Sequence, residues 1–234
     1  MKSRILVVCL LIAGIFALNT ASAEEEKRDV STFSEISLRI PAKLYLTQGE
    51  PQSVRIVASE SVLEDIITEV KGSELNIRFP GTNIFQRNFK PGKIEVYITV
   101  PEVNALSVSG SGDIMSDKLE ARILDLAISG SGNIEIEKLD SKKVKGTISG
   151  SGNIRLEDGS AAEELSVAIS GSGNFDAAGY EADDVTVNTS GSGNCRVSSN
   201  GSIKARIAGS GSVYYNGNAS IDASVAGSGK VKKM

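Results

Sequence analysis

The chain has 234 residues, with 25 Lys plus Arg against 29 Asp plus Glu, a net charge of −4, 24 glycines and no histidine. The acidic balance argues against nucleic acid as a partner, because phosphate binding needs a basic surface. Without histidine there is no nucleophile–histidine pair and no His–Cys zinc site.

At the N-terminus Lys2 and Arg4 precede an uncharged apolar run from Ile5 to Leu18, and Ala21-Ser22-Ala23 follows. That order predicts a secretory signal peptide over residues 1–23, because the run is shorter than the roughly 18 to 20 apolar residues that a bilayer span needs. Cleavage after Ala23 would remove Lys2 and Arg4, shift the net charge from −4 to −6, and leave Cys195 as the one cysteine. The mature chain then has no internal disulfide and no membrane span, and is placed in the periplasm, on the cell surface or in the medium.

Residues 24–101 predict an N-terminal β lobe that caps the repeat region of residues 102–234. Apolar and polar residues alternate in Ser34–Ile40, Lys43–Leu46, Ser53–Val57 and Lys93–Ile98, with Pro, Gly or polar breaks between them. Val62, Leu63, Ile66, Ile67 and Val70 fit one short helix over Val62–Val70 better than a strand. Gly81 to Gly92 reads as the longest loop.

In the repeat region Gly-Ser-Gly occurs seven times, beginning at Gly110, Gly130, Gly150, Gly171, Gly191, Gly209 and Gly227, at steps of 18 to 21 residues. Two residues before each motif stand Val108, Ile128, Ile148, Ile169, Thr189, Ile207 and Val225, and two residues after it stand Ile114, Ile134, Ile154, Phe175, Cys195, Val213 and Val231. The period-two alternation around the motifs marks strands with one buried face. A unit of about twenty residues cannot bury that face alone, so the copies must stack. The fold class predicted is all-β, a parallel β-helix-like solenoid of about seven coils, with successive coils about 4.8 Å apart. Asn133, Asn153, Asn174 and Asn194 follow four consecutive motifs and predict a ladder of stacked amides. Asp113 is the one acid in that column, which argues against a calcium-binding repeat.

Three residues past the motif, Glu135, Arg155, Asp176, Arg196 and Tyr214 share one coil position. They are the candidate ligand contacts, on a face expected to meet solvent. Their plainest role is structural, since opposite charges on adjacent strands fix register. A second reading makes Glu135 and Asp176 the carboxylates of a polysaccharide-active enzyme, but two coil spacings, roughly 10 Å, is a little beyond the usual inverting pair. Cys195 stands in an apolar column and is expected in the core rather than as a reactive thiol. The residues indicate no catalytic group, cofactor or metal.

The run Ile128-Ser129-Gly130-Ser131-Gly132-Asn133-Ile134 and its copies, with Phe33–Gln48 and Val54–Ala58 before them, resembles the bacterial family described as putative auto-transporter adhesin, head GIN domain. The resemblance covers about residues 30 to 232 and implies a secreted or envelope location and a β-helical architecture. It implies no catalytic residues. The leading expectation is a non-enzymatic, adhesin-like scaffold of the cell envelope, with an envelope glycan or protein as partner. Self-assembly through open coil ends is a third reading, with Lys230, Lys232 and Lys233 as charged blockers at the last coil.

Overall fold

The computed structural model describes residues 24–81 and 92–234. The expected signal peptide and most of the expected loop at Gly81–Gly92 lie outside the described residues. The Gly-Ser-Gly motif explains the architecture locally. At Gly150-Ser151-Gly152 the first glycine has φ +128°, a region that side chains disfavour. The carbonyl of Gly130, one coil earlier, accepts both the Ser151 N–H at 2.8 Å and the Gly152 N–H at 3.1 Å. A Cβ on Gly152 would lie 2.2 Å from the Gly132 carbonyl oxygen. The first glycine thus supplies the turn and the second lets two backbones touch, so each turn sits directly on the one before.

The lobe begins with β1 (Glu24–Arg28), β2 (Glu35–Leu38), β3 (Lys43–Gln48) and β4 (Ser53–Ala58). The helix α1 covers Glu60–Asp65 and buries Val62 and Leu63. It ends at Ile66, whose backbone is already extended. The helix expected over Val62–Val70 is therefore shorter, and its second half is β5 (Ile67–Lys71), antiparallel to β6 (Glu74–Arg78). Gly72, at φ +65°, makes the tight turn between them, and that hairpin recruits Ile67, Thr68 and Val70, which favour a strand when a partner is available. β7 (Glu95–Val100) completes the lobe.

The repeat supplies β8 (Ala105–Gly110), β9 (Asp113–Gly130), β10 (Asn133–Gly150), β11 (Asn153–Ser160), β12 (Ala162–Gly171), β13 (Asn174–Gly191), β14 (Cys195–Ser198), β15 (Ser202–Gly209), β16 (Val213–Asn216), β17 (Ser220–Gly227) and β18 (Val231–Lys233). They form a β-solenoid of about six turns, slightly fewer than the seven coils expected. Segments that precede a motif stack into a front wall and segments that come after one stack into a back wall. Every pairing between coils is parallel, as in Val108↔Ile128 at the front and Ile134↔Ile154 at the back, and the register shifts only in β13–β14, between Ala177 and Glu181. Both apolar columns face inward: Ile128, Ile148, Ile169 and Ile207, like Ile134, Ile154, Phe175 and Val213, are all buried. The walls interlock where Phe175 at the back fills the space left by Gly146 at the front, whose added Cβ would meet the phenyl ring at 2.3 Å.

The lobe is woven into this stack. β2 lies between β6 and β8 at the front, and β3 lies between β7 and β9 at the back, all parallel. Residues 35–48 thus form a rung inserted between two rungs that come later in the chain. Beyond it β4 pairs antiparallel with β7, and β1 antiparallel with β4. One hydrophobic core runs from Phe33 through the lobe to Val213.

Candidate functional site

The outer face of the back wall brings the expected contact residues together. Register pairs join Glu135 to Arg155, Arg155 to Asp176, Asp176 to Arg196 and Arg196 to Tyr214. The row continues at both ends. Tyr214 pairs with Lys232, Glu135 with Met115, and Met115 with Tyr45 of the lobe. Tyr45 pairs with Tyr97, Tyr97 with Arg55, and Arg55 with Lys27. Eleven side chains thus form one line across the back wall, from β1 to β18. The four lobe members were invisible to motif alignment, because β1 and β4 carry no motif and β3 comes before β7 in the chain. The alternation of Lys43–Leu46 did indicate that Tyr45 faces outward; its position in the row needed the strand order.

The line has two chemical zones. In the lobe, the Arg55 guanidinium lies 3.9 Å from the centre of the Tyr97 ring, and the Tyr97 and Tyr45 rings stack at 5.0 Å. The Tyr45 hydroxyl reaches Glu95 at 3.5 Å. Because the faces of Tyr97 are covered by Arg55 and Tyr45, that ring presents its edge outward. Over the coils the charges alternate. Arg196 meets Asp176 at 3.1 Å, while Arg155 stands 3.9 Å from Glu135 and 3.7 Å from Glu157. These pairs are largely exposed, so each adds about 0 to 1 kcal/mol and leaves its charges available to a partner. Glu135 and Asp176 are separated by the intervening rung of Arg155, so the two carboxylates do not face one another across a cleft.

Beside this line runs the amide ladder. Asn133 donates to Asp113 at 2.7 Å, Asn153 to Asn133 at 2.9 Å, Asn174 to Asn153 at 2.9 Å, and Asn194 to Asn174 at 3.3 Å. The Ser212 N–H closes the series on Asn194 at 3.1 Å. With the stacked amides as floor, Arg155, Asp176, Arg196, Tyr214 and Met234 border a shallow depression. Cys195 lies beneath it and is buried; burial pushes its thiol far above the ordinary range, so the thiolate is suppressed. Among the described residues, no three or more His, Cys, Asp or Glu side chains are grouped to hold a metal, and no helix is long and apolar enough to cross a membrane.

The fold and this face define a class, a two-walled β-solenoid that carries a regular polar ladder on its outside. The chain belongs to the family described as putative auto-transporter adhesin, head GIN domain, whose model matches residues 32–219. Among solved structures, a putative adhesin from Bacteroides fragilis NCTC 9343 is 25% identical with a TM-score of 0.83, the match covering 91% of this chain and 97% of that one. A putative lipid binding protein from Parabacteroides distasonis ATCC 8503 shares the fold at 22% identity and a TM-score of 0.74, over 92% and 98% of the two chains. A putative adhesin from Parabacteroides merdae ATCC 43184 does so at 21% identity and 0.70, over 92% and 97%. No curated protein matches.

Proposed function

We propose that the protein is a non-enzymatic, adhesin-like scaffold, exported by a signal peptide over residues 1–23 to the periplasm, the cell surface or the medium. Its back wall serves as the contact face for an envelope glycan or protein. The observation that carries this reading is the unbroken line from Lys27 to Lys232, whose side chains are spaced by the strand separation of about 4.8 Å. Such a line offers an extended partner one outward side chain at each rung, aromatic and cationic over the lobe and of alternating charge over the coils. Glu135, Arg155, Asp176, Arg196 and Tyr214 are the contacts, and the lobe's stacked tyrosines extend the face. The names of the family and of the B. fragilis neighbour support binding rather than catalysis.

Binding of the purified protein to envelope fractions tests the proposal. A variant with Arg155→Ala, Arg196→Ala and Tyr214→Ala should bind at least about tenfold more weakly while unfolding at nearly the same denaturant concentration, because exposed pairs contribute little stability. Protease and periodate treatment of the fractions separates a protein partner from a glycan. Equal binding by the variant would refute the assignment of this face. Polysaccharide cleavage that disappears in a Glu135→Gln, Asp176→Asn double variant would establish the enzymatic alternative instead.

A further inference from the structure

On the lobe, the residues beside the charged line are small. Ser53, Thr99 and Thr47 each stand two positions along their strands from Arg55, Tyr97 and Tyr45, with buried Val54, Ile98 and Leu46 between, so all six face outward. Register places Ser53 against Thr99 and Thr99 against Thr47, so the three hydroxyls form a row at the strand separation of about 4.8 Å. The larger side chains lean away from this row: Arg55 donates to Glu25 at 2.9 Å and the Tyr45 hydroxyl reaches Glu95, both on the opposite flank of the line. Over the hydroxyls this leaves a depression of about 600 Å³, which Lys27 and Gln52 also border, a volume in the range of small-ligand sites. Gln52 is fixed there by the hydrogen bond it donates to the Ser31 carbonyl at 3.1 Å. Two cations meet at one end. Lys27 opposes Arg55 across β1 and β4, an unfavourable pairing of like charges. The β1 carboxylates Glu25 and Glu26 are engaged by Arg55 and Arg28, which leaves Lys27 without an ion pair among the described residues. Arg55 is held over the Tyr97 ring and uses one nitrogen on Glu25, so its other donors stay free.

We propose that this depression binds a sugar bearing an anionic group, a carboxylate or a phosphate. The inference rests on the reading of the back wall as the contact face and assigns the lobe end of that face one ligand chemistry. Lys27 and the free guanidinium donors of Arg55 neutralise the anion, while Ser53, Thr99 and Thr47 exchange hydrogen bonds with the hydroxyls of the sugar. A hydroxyl both donates and accepts, so the row matches a sugar whichever way its own hydroxyls point. A peptide fits poorly: β4 lies between β1 and β7, and β7 between β4 and β3, so no backbone edge is open to a further strand. A nucleic-acid base fits poorly too, since Arg55 and Tyr45 already cover both faces of Tyr97. Asp29 also borders the depression and opposes the anion, so its charge limits the affinity.

Titration calorimetry of the purified protein tests this with an oligogalacturonate and its methyl ester for the carboxylate, and a phosphorylated mannan and its dephosphorylated form for the phosphate. At least one acidic glycan should bind, with its neutral form and the sugar-free polyanion polyglutamate each at least about tenfold weaker. Lys27→Gln and Thr99→Val should each weaken binding of that glycan at least about threefold. Asp29→Asn should tighten it, a gain that misfolding cannot produce. Failure of both acidic glycans to bind, equal affinity for charged and neutral forms, or binding unchanged by Lys27→Gln and Thr99→Val overturns the proposal. Envelope binding that needs Arg155, Arg196 and Tyr214 but is unchanged in a Lys27→Gln, Thr99→Val double variant also overturns it, and leaves the contact face itself standing.

Discussion

Thr189 interrupts an inward column otherwise made of Val108, Ile128, Ile148, Ile169 and Ile207, and its hydroxyl is buried without a hydrogen-bond partner. An orphaned hydroxyl costs more than it contributes, so Thr189→Val should stabilise the fold by about 1 kcal/mol, read as a rise in the denaturation midpoint. Tyr180 shows the opposite case. It is fully buried, and its hydroxyl donates to the Ser141 carbonyl at 3.1 Å. Burial, assisted by the Asp140 carboxylate, pushes its pKa up from 10.0 to about 12. The unfolded chain therefore loses this proton first. The stability tied to neutral Tyr180 is complete below about pH 10 and falls as the pH rises to about 12. Denaturation curves at rising pH should show that loss in the parent protein and a shallower one in Tyr180→Phe. Thr189 was visible in the sequence as the polar member of its column. The burial of Tyr180 was not, because Tyr180 lies in the corner between walls, away from the aligned motif positions.

The Gly-Ser-Gly turn is the element that sets register, and its two glycines act through different contacts. Gly152→Ala would push a methyl carbon toward the Gly132 carbonyl at 2.2 Å, separating two coils rather than straining one residue. A loss of at least about 2 kcal/mol is expected in chemical denaturation, because the opposing atom is backbone and cannot move aside. The elements that sequence reading recovered are those with an apolar face: the repeat strands, β2, β3, β4 and β7. It missed β6, although Leu75 and Ile77 alternate there and are buried, and it missed β1, whose residues Glu24-Glu25-Glu26-Lys27-Arg28 show no alternation. That strand is held by backbone pairing to β4, by the Glu25–Arg55 ion pair and by the hydrogen bond that Arg28 donates to the Leu63 carbonyl. It also extended α1 through β5, since Ile66, Ile67 and Val70 satisfy a helical spacing as well as a short strand, and the hairpin with β6 decided between them.

At the scale of the whole molecule the coils form a nearly one-dimensional stack, so local stability should depend on position along it. Amide hydrogen exchange should be fastest in β17 and β18, whose inward side chains are open on one side, and slowest from β9 to β13. Uniform protection from β9 to β18 would contradict that gradient. The sequence by itself determined the stacking: equal spacing and repeated apolar positions leave a short unit no other way to bury its face. It therefore also determined the asparagine ladder, the burial of Cys195, and the grouping of Glu135, Arg155, Asp176, Arg196 and Tyr214. Only the tertiary structure decided that residues 35–48 slot between strands arriving later in the chain, that the charged line runs on through Tyr45, Tyr97 and Arg55, and that β1 turns Glu26 and Arg28 to the inward face at the lobe edge. Those features depend on pairings between segments far apart in sequence and of mixed direction, which leave no fixed spacing along the chain.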